Sequence, residues 1–200
     1  MADARPVLRP ALAAVAEAVP RGSRVLDIGC GDGALLAHLR DQRDVQGHGI
    51  EVSATNVATA VARGLSVVQG DADTDLADYP DNAFDVAILS DTLQAMKRPA
   101  HILDELLRIA SSGIVSFPNF GHWRVRAGLG LGGRMPVNKT LPVSWYETPN
   151  IHFCTIDDFR ALVAERGYHI TSSAYLAGGQ LRGALLSNLL AEQAVFILSR

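Results

Sequence analysis

The chain has 200 residues, of which 48% are hydrophobic, enough for one α/β domain with an adequate core. Its formal net charge of −3 and pI of about 6.0 supply no dominant basic field for nucleic acid, and no Lys/Arg run marks an anionic membrane. Cys30 and Cys154 form no spaced framework, which points to free thiols and a cytoplasmic location, and no segment has the roughly 20 apolar residues of a membrane span.

Residues 1–20 carry Arg5, Arg9 and Glu17 among alanines and valines, so no uninterrupted apolar core of a signal peptide is present. They read instead as an N-terminal helix, Ala11 to Val19, ended near Pro20. Arg24–Ile28 is the first predicted strand and Ala34–Arg40 the first crossover helix. Val45–Glu51 is the second strand, weakened by Gly47 and Gly49. Asn56–Arg63 is a helix with Ser53 or Thr55 as its cap and Gly64 as its stop. Leu65–Gln69 is the third strand, Pro80-Asp81-Asn82 a turn, and Phe84–Leu89 a continuous apolar fourth strand. Pro99 opens a helix over Ala100–Ile109, and Ser112–Phe117 is the fifth strand, closed by Pro118-Asn119.

The alternation then breaks. Residues 118–152 form an irregular insertion with seven Gly and Pro residues from Gly128 to Pro149 and both tryptophans, Trp123 and Trp145. A loop of that length is functional or disordered, and its aromatic content argues against simple disorder. A helix resumes over Thr155–Arg166, opened by Thr155 and Asp158 in the spacing of a capping box. Tyr168–Tyr175 and Ala194–Ser199 are the last two strands, joined by the Gly- and Leu-rich connection Gly178–Leu190. Strands alternating with helices predict a mostly parallel, seven-stranded sheet covered on both faces, in a single domain over 1–200.

The chemistry concentrates after the first strand. Asp27 leads into Gly29-Cys30-Gly31-Asp32-Gly33, with three glycines at alternate positions free of the Cβ that would hold a ligand off the backbone, and a helix N-terminus follows to favour an anionic group. Glu51, ending the second strand, is placed to accept two ribose hydroxyls. The Gly-x-Gly-x-Gly spacing differs from the dinucleotide Gly-x-Gly-x-x-Gly and resembles motif I of the class I S-adenosylmethionine (AdoMet) methyltransferases. In that pattern Asp71 accepts the adenine amino group and the next backbone N–H, that of Ala72, meets a ring nitrogen. An Asx turn accounts for Asp71 as well. Ser90-Asp91 follows the fourth strand at the lip where open sheets bind ligands; Ser90 lines the methionine end of the cofactor, or else Ser90 or Asp91 caps a helix. Cys30 lies beside a helix N-terminus, which would lower its pKa, or is a small packing residue. His101, His122 and His152 are isolated and read as surface or capping residues. No His/Cys/Asp/Glu cluster has metal-ligand spacing, and no Asn-Pro-Pro-Tyr follows the fourth strand.

Over a longer span the chain resembles the MetW family of methionine biosynthesis. The resemblance rests on Val25 to Gly33, Gly49-Ile50-Glu51, Gln69 to Asp73 and Ser90 to Gln94, and most specifically on Ser116 to Trp123 and Trp145 to His152. It runs from about Arg24 to the C-terminus. It implies a Rossmann-like class I methyltransferase fold, with AdoMet or S-adenosylhomocysteine (AdoHcy) held by Asp27, Gly29, Cys30, Gly31, Gly33, Glu51, Asp71, Ala72 and Ser90. It further implies an accessory or regulatory subunit paired with homoserine O-acyltransferase (MetX), a hetero-oligomer in which the aromatic insertion suits contact. No catalytic residue is implied, and the alternative is a methyltransferase acting on an unidentified small molecule.

Overall fold

A computed structural model describes residues 8–137 and 141–200. The first residues of the predicted N-terminal segment, 1–7, and residues 138–140 of the insertion lie outside the described residues. The chain opens with α1 (Pro10–Ala18), where Pro10 sits at a position that needs no N–H. Six elements follow in alternation: β1 (Arg24–Ile28), α2 (Ala34–Arg43), β2 (Gln46–Glu51), α3 (Ala54–Ala62), β3 (Ser66–Gln69) and the short α4 (Ala72–Asp75). Ser53 caps α3, its Oγ accepting from the Asn56 N–H at 3.4 Å. Then come β4 (Phe84–Ser90), α5 (Pro99–Ile109) and β5 (Ala110–Pro118).

Beyond β5 the structure corrects two expectations. The segment 118–152 is not irregular throughout, because α6 (Trp123–Gly132) runs through it. The sheet has eight strands rather than seven. After α7 (Ile156–Glu165) and β6 (His169–Ala177), the Gly- and Leu-rich connection folds back as β7 (Gln180–Arg182). Gly178 and Gly179 both take positive φ, +60° and +76°, which is what a two-residue hairpin turn requires. The short α8 (Ser187–Leu190) and β8 (Gln193–Ser199) complete the chain.

The strands lie in the order β3-β2-β1-β4-β5-β8-β6-β7. β1 to β5 pair in parallel, whereas β8 is antiparallel to β5 and β6, and β7 to β6. Alternate strand residues divide between two cores, as a pleated sheet buried on both faces demands. Val25, Val86, Ile88 and Ile114 pack with α1 and α2 on one face. Leu26, Ile28, Ala87, Leu89 and Phe117 pack with α5 and α7 on the other. The capping box on α7 is formed: the Asp158 N–H donates to Thr155 Oγ1 at 3.2 Å and the Thr155 N–H to Asp158 Oδ2 at 2.9 Å. Strand order reverses between β1 and β4, so the crevice of an open α/β sheet opens at the carboxyl ends of those two strands.

Candidate functional site

That crevice is where the glycine loop lies. β1 ends at Ile28, and the Gly29 N–H donates to the Ile50 carbonyl at 2.8 Å, tying the start of the loop to β2. A Cβ on Gly29 would stand 2.7 Å from the Thr92 side chain, and one on Gly33 would run into Leu65 and Ala60. These two glycines are needed for packing. Gly31 differs: it has φ +56°, yet a Cβ there would meet nothing within 4 Å. The space beside Gly31 is therefore the part of the loop left open to a ligand. The glycines that weakened the second strand in the sequence also have packing reasons, since Cβ atoms on Gly47 and Gly49 would press on Leu36 and on the Cys30 sulfur.

Glu51 is buried at the end of β2 and reaches the loop directly. One carboxylate oxygen accepts from the Gly31 N–H at 2.9 Å and the other from the Ser53 N–H at 2.9 Å. Each oxygen keeps a lone pair for a further donor, so a ribose diol still has an acceptor here. Asp27, in β1, is 2% exposed. Burial first, and then the Glu51 charge, raise its pKa from 3.8 to about 7. Two acids in one crevice suit a cation. Open space at Gly31, acceptors on Glu51 and a buried acid at Asp27 together fit a ligand with a ribose and a positive charge, as AdoMet has.

Several sequence-based assignments change. The Cys30 thiol is buried against Gly49, and burial, then the Asp27 and Glu51 charges, push its pKa up to about 12. The dipole at the start of α2 does not lower it, so Cys30 packs rather than reacts. The N-terminus of α2 is also less open to an anion than its sequence suggested. Asp32 takes the Ala34 N–H at 3.2 Å and pairs with Arg63 at 2.9 Å. Asp71 forms the Asx turn: its Oδ1 accepts from the Asp73 N–H at 3.0 Å, and Lys97 lies 3.5 Å from its other oxygen. Half-exposed, it still borders the crevice at the end of β3, with Ala72 the first residue of α4. Ser90 caps no helix, and its Oγ pairs with the Ser116 Oγ at 2.8 Å. His122 is the capping histidine, its Nδ1 accepting from the Arg124 N–H at 3.4 Å, whereas His101 and His152 are exposed.

Sequence reasoning placed Asp91 at the lip after β4 or at a helix cap, and gave Thr92 no role of its own. Thr92 covers Gly29, and its Oγ1 donates to the Ser90 carbonyl at 2.9 Å. Asp91 takes φ +55°, a conformation that Asp and Asn accept more readily than most residues, and burial raises its pKa against the opposing pull of Arg9. A lip residue or a helix cap would be exposed, and only the packing shows that this carboxylate is buried. Among the described residues no group of three or more His, Cys, Asp or Glu could hold a metal ion, and no helix is long and apolar enough to cross a membrane.

A family model described as methionine biosynthesis protein MetW matches residues 9–198. A bifunctional methionine biosynthesis protein MetXA/MetW of Rhodopirellula baltica is 37% identical over 160 residues, covering 76% of this chain and 26% of that protein. An ajmaline N-methyltransferase of Rauvolfia serpentina is 32% identical over 97 residues, 44% of this chain and 33% of its own length. The chain thus spans about a quarter to a third of these relatives. Solved structures share the fold. A possible histamine N-methyltransferase from Thermotoga maritima has a TM-score of 0.69 at 18% identity, over 95% of this chain and 87% of that one. An S-adenosylmethionine-dependent methyltransferase from Mesorhizobium loti also has 0.69 at 18% identity, over 96% of each chain. The fold is the Rossmann-like class I methyltransferase fold.

Proposed function

The chain belongs to the MetW family of methionine biosynthesis, and from that premise we propose that it is an accessory subunit that binds AdoMet or AdoHcy and pairs with homoserine O-acyltransferase (MetX), supporting its activity. The observation that carries the pairing is the Rhodopirellula relative, named for MetXA and MetW together in one protein. Covalent linkage holds two modules at high effective concentration, an arrangement that suits partners which act in contact. The ligand assignment rests on the open face of Gly31, the Glu51 carboxylate and the acidic crevice around Asp27. In this reading Glu51 accepts the ribose hydroxyls, Asp71 and the Ala72 N–H meet the adenine, and Ser90 borders the methionine end.

The insertion supplies the contact surface. Trp145 and Tyr146 are 70% and 71% exposed, and Trp123 is 46% exposed with the Arg124 guanidinium 5.3 Å from its ring. A buried cover over a cofactor would hide these rings. Exposed aromatic residues beside arginine are the composition of an interface core. A folded Trp123→Ala, Trp145→Ala double variant is expected to lose more than about 1 kcal/mol of pairing energy per anchor. A pull-down with the acyltransferase measures this, and full pairing by the folded variant would confine the insertion to a covering role.

A ligand couples to pairing only through different affinities for the free and paired forms. AdoMet should therefore shift acyltransferase affinity, and the acyltransferase should shift AdoMet affinity by the same factor. Acyltransferase rate, with and without this chain and AdoMet, is the direct test. The second reading, a methyltransferase, is favoured by a cavity of about 500 Å³ bordered by Asp91, which gives room for an acceptor. Bound AdoMet supplies an electrophilic methyl on its sulfonium. Steady AdoHcy release over many turnovers on a defined acceptor would replace the accessory role with this one.

A further inference from the structure

The cavity beside Asp91 is separate from the nucleoside cradle, since Asp27, Gly29, Gly31 and Glu51 do not line it. It lies between the start of α1, the ends of β4 and β5, and the segment after α6. Its volume falls within the range of small-molecule sites, and most of its wall is apolar, with Phe120, Phe153 and Trp145 among the contributors. Phe120 and Phe153 pack against each other with ring centroids 4.4 Å apart. Among the described residues three charged ones reach this wall: Arg9, Asp91 and Glu192.

They are unequally engaged. Glu192 accepts from the Gly178 N–H at 2.8 Å and faces Arg124 at 3.8 Å, so its charge is already answered. Asp91 Oδ1 is buried and has no hydrogen-bond partner among the described residues. Its other oxygen meets the Arg9 guanidinium at 3.5 Å, and the Arg9 side chain is 69% exposed. At that length, and with the cation largely in water, the contact yields to a better donor. A buried carboxylate oxygen without a donor is costly, and its natural complement is a charged N–H. Among the described residues an anionic ligand would meet two carboxylates and one exposed guanidinium, so the balance of charge there disfavours it.

We propose that this cavity binds a small organic ammonium with an apolar body, its N–H donors on the Asp91 carboxylate and its hydrocarbon among Phe120, Phe153 and Trp145. Aromatic walls add to the selection, because an ammonium is attracted to ring faces as well as to the carboxylate. This ligand is distinct from AdoMet, and its binding does not depend on the nucleoside cradle being functional.

Calorimetry on the full chain tests the idea with 2-phenylethylammonium, its alcohol analogue 2-phenylethanol and the anion 3-phenylpropanoate. The ammonium should bind at least about tenfold tighter than the alcohol, and the anion should bind weakest. Asp91→Asn should remove the preference for the ammonium; asparagine accepts positive φ readily, so the variant should fold, as circular dichroism would verify. The ammonium should bind equally well to protein saturated with AdoHcy. Equal affinity for ammonium and alcohol, a preference that survives Asp91→Asn, or displacement by AdoHcy would each overturn the proposal. The titration without nucleoside stays decisive even if the chain binds no AdoMet, which separates failure here from failure of the accessory-subunit reading.

Discussion

Gly31→Val is expected to weaken AdoMet binding by at least about a hundredfold, roughly 2.7 kcal/mol. The loop turns at φ +56° with open space where the Cβ would point, so a branched side chain occupies the volume left for the ligand. The same φ strains a β-branched residue, which costs about 1–3 kcal/mol of stability and makes a melting curve a necessary companion measurement. Glu51→Ala acts on the same cradle from behind. It removes the proposed ribose acceptor and releases the Gly31 and Ser53 N–H groups from their shared anchor. A hydrogen bond to a charged group contributes about 1.5–3 kcal/mol, so Glu51→Ala should cost about tenfold or more. Calorimetry with AdoMet and AdoHcy on wild type and both variants checks the pair, and unchanged affinity in both would remove this site.

Asp27→Asn is expected to stabilise the ligand-free chain at pH 8 by up to about 4 kcal/mol relative to its effect at pH 4. Burial and the Glu51 charge raise the Asp27 pKa from 3.8 to about 7 in the folded chain. The folded state therefore holds this proton more tightly than the unfolded state. The resulting stability is fully present below about pH 4 and is lost as pH rises through about 7. Asparagine has no proton to lose, so the difference between variant and wild type grows across that window. Urea unfolding at a series of pH values reads it directly, and a difference independent of pH would show that Asp27 does not titrate there. The same buried acid that works against the ligand-free fold above pH 7 favours a cationic ligand.

Much of this molecule was legible from local pattern. The apolar runs of β1 and β4, the glycine loop, the proline that opens α5 and the Thr155–Asp158 capping box all depend on residues within a few positions of one another, and each formed as its sequence indicates. What escaped depends on contacts distant in sequence or on weak local preference. Helix α6 contains Gly128, Gly130 and Gly132, so its propensity is poor. It forms because His122 caps it, the Arg126 side chain donates to the Gly121 carbonyl at 2.6 Å and Gly133 closes it at φ +61°. The eighth strand follows from two consecutive glycines at positive φ, a hairpin signal hidden in a Leu-rich stretch. The Cys30 thiol sits next to a helix start in sequence, but folding buries it beside the Asp27 and Glu51 carboxylates, and desolvation with like charge outweighs the dipole. Asp91 and Arg9 are far apart along the chain, and only the docking of α1 against the ends of β4 and β5 brings them to one cavity wall. The alternation of elements and the glycine loop could be read from the residues alone, because both are written in short-range spacing. Tertiary structure alone decided which acids are buried, which oxygen lacks a donor and which glycine faces open space, because burial is a property of the packed molecule and not of any segment.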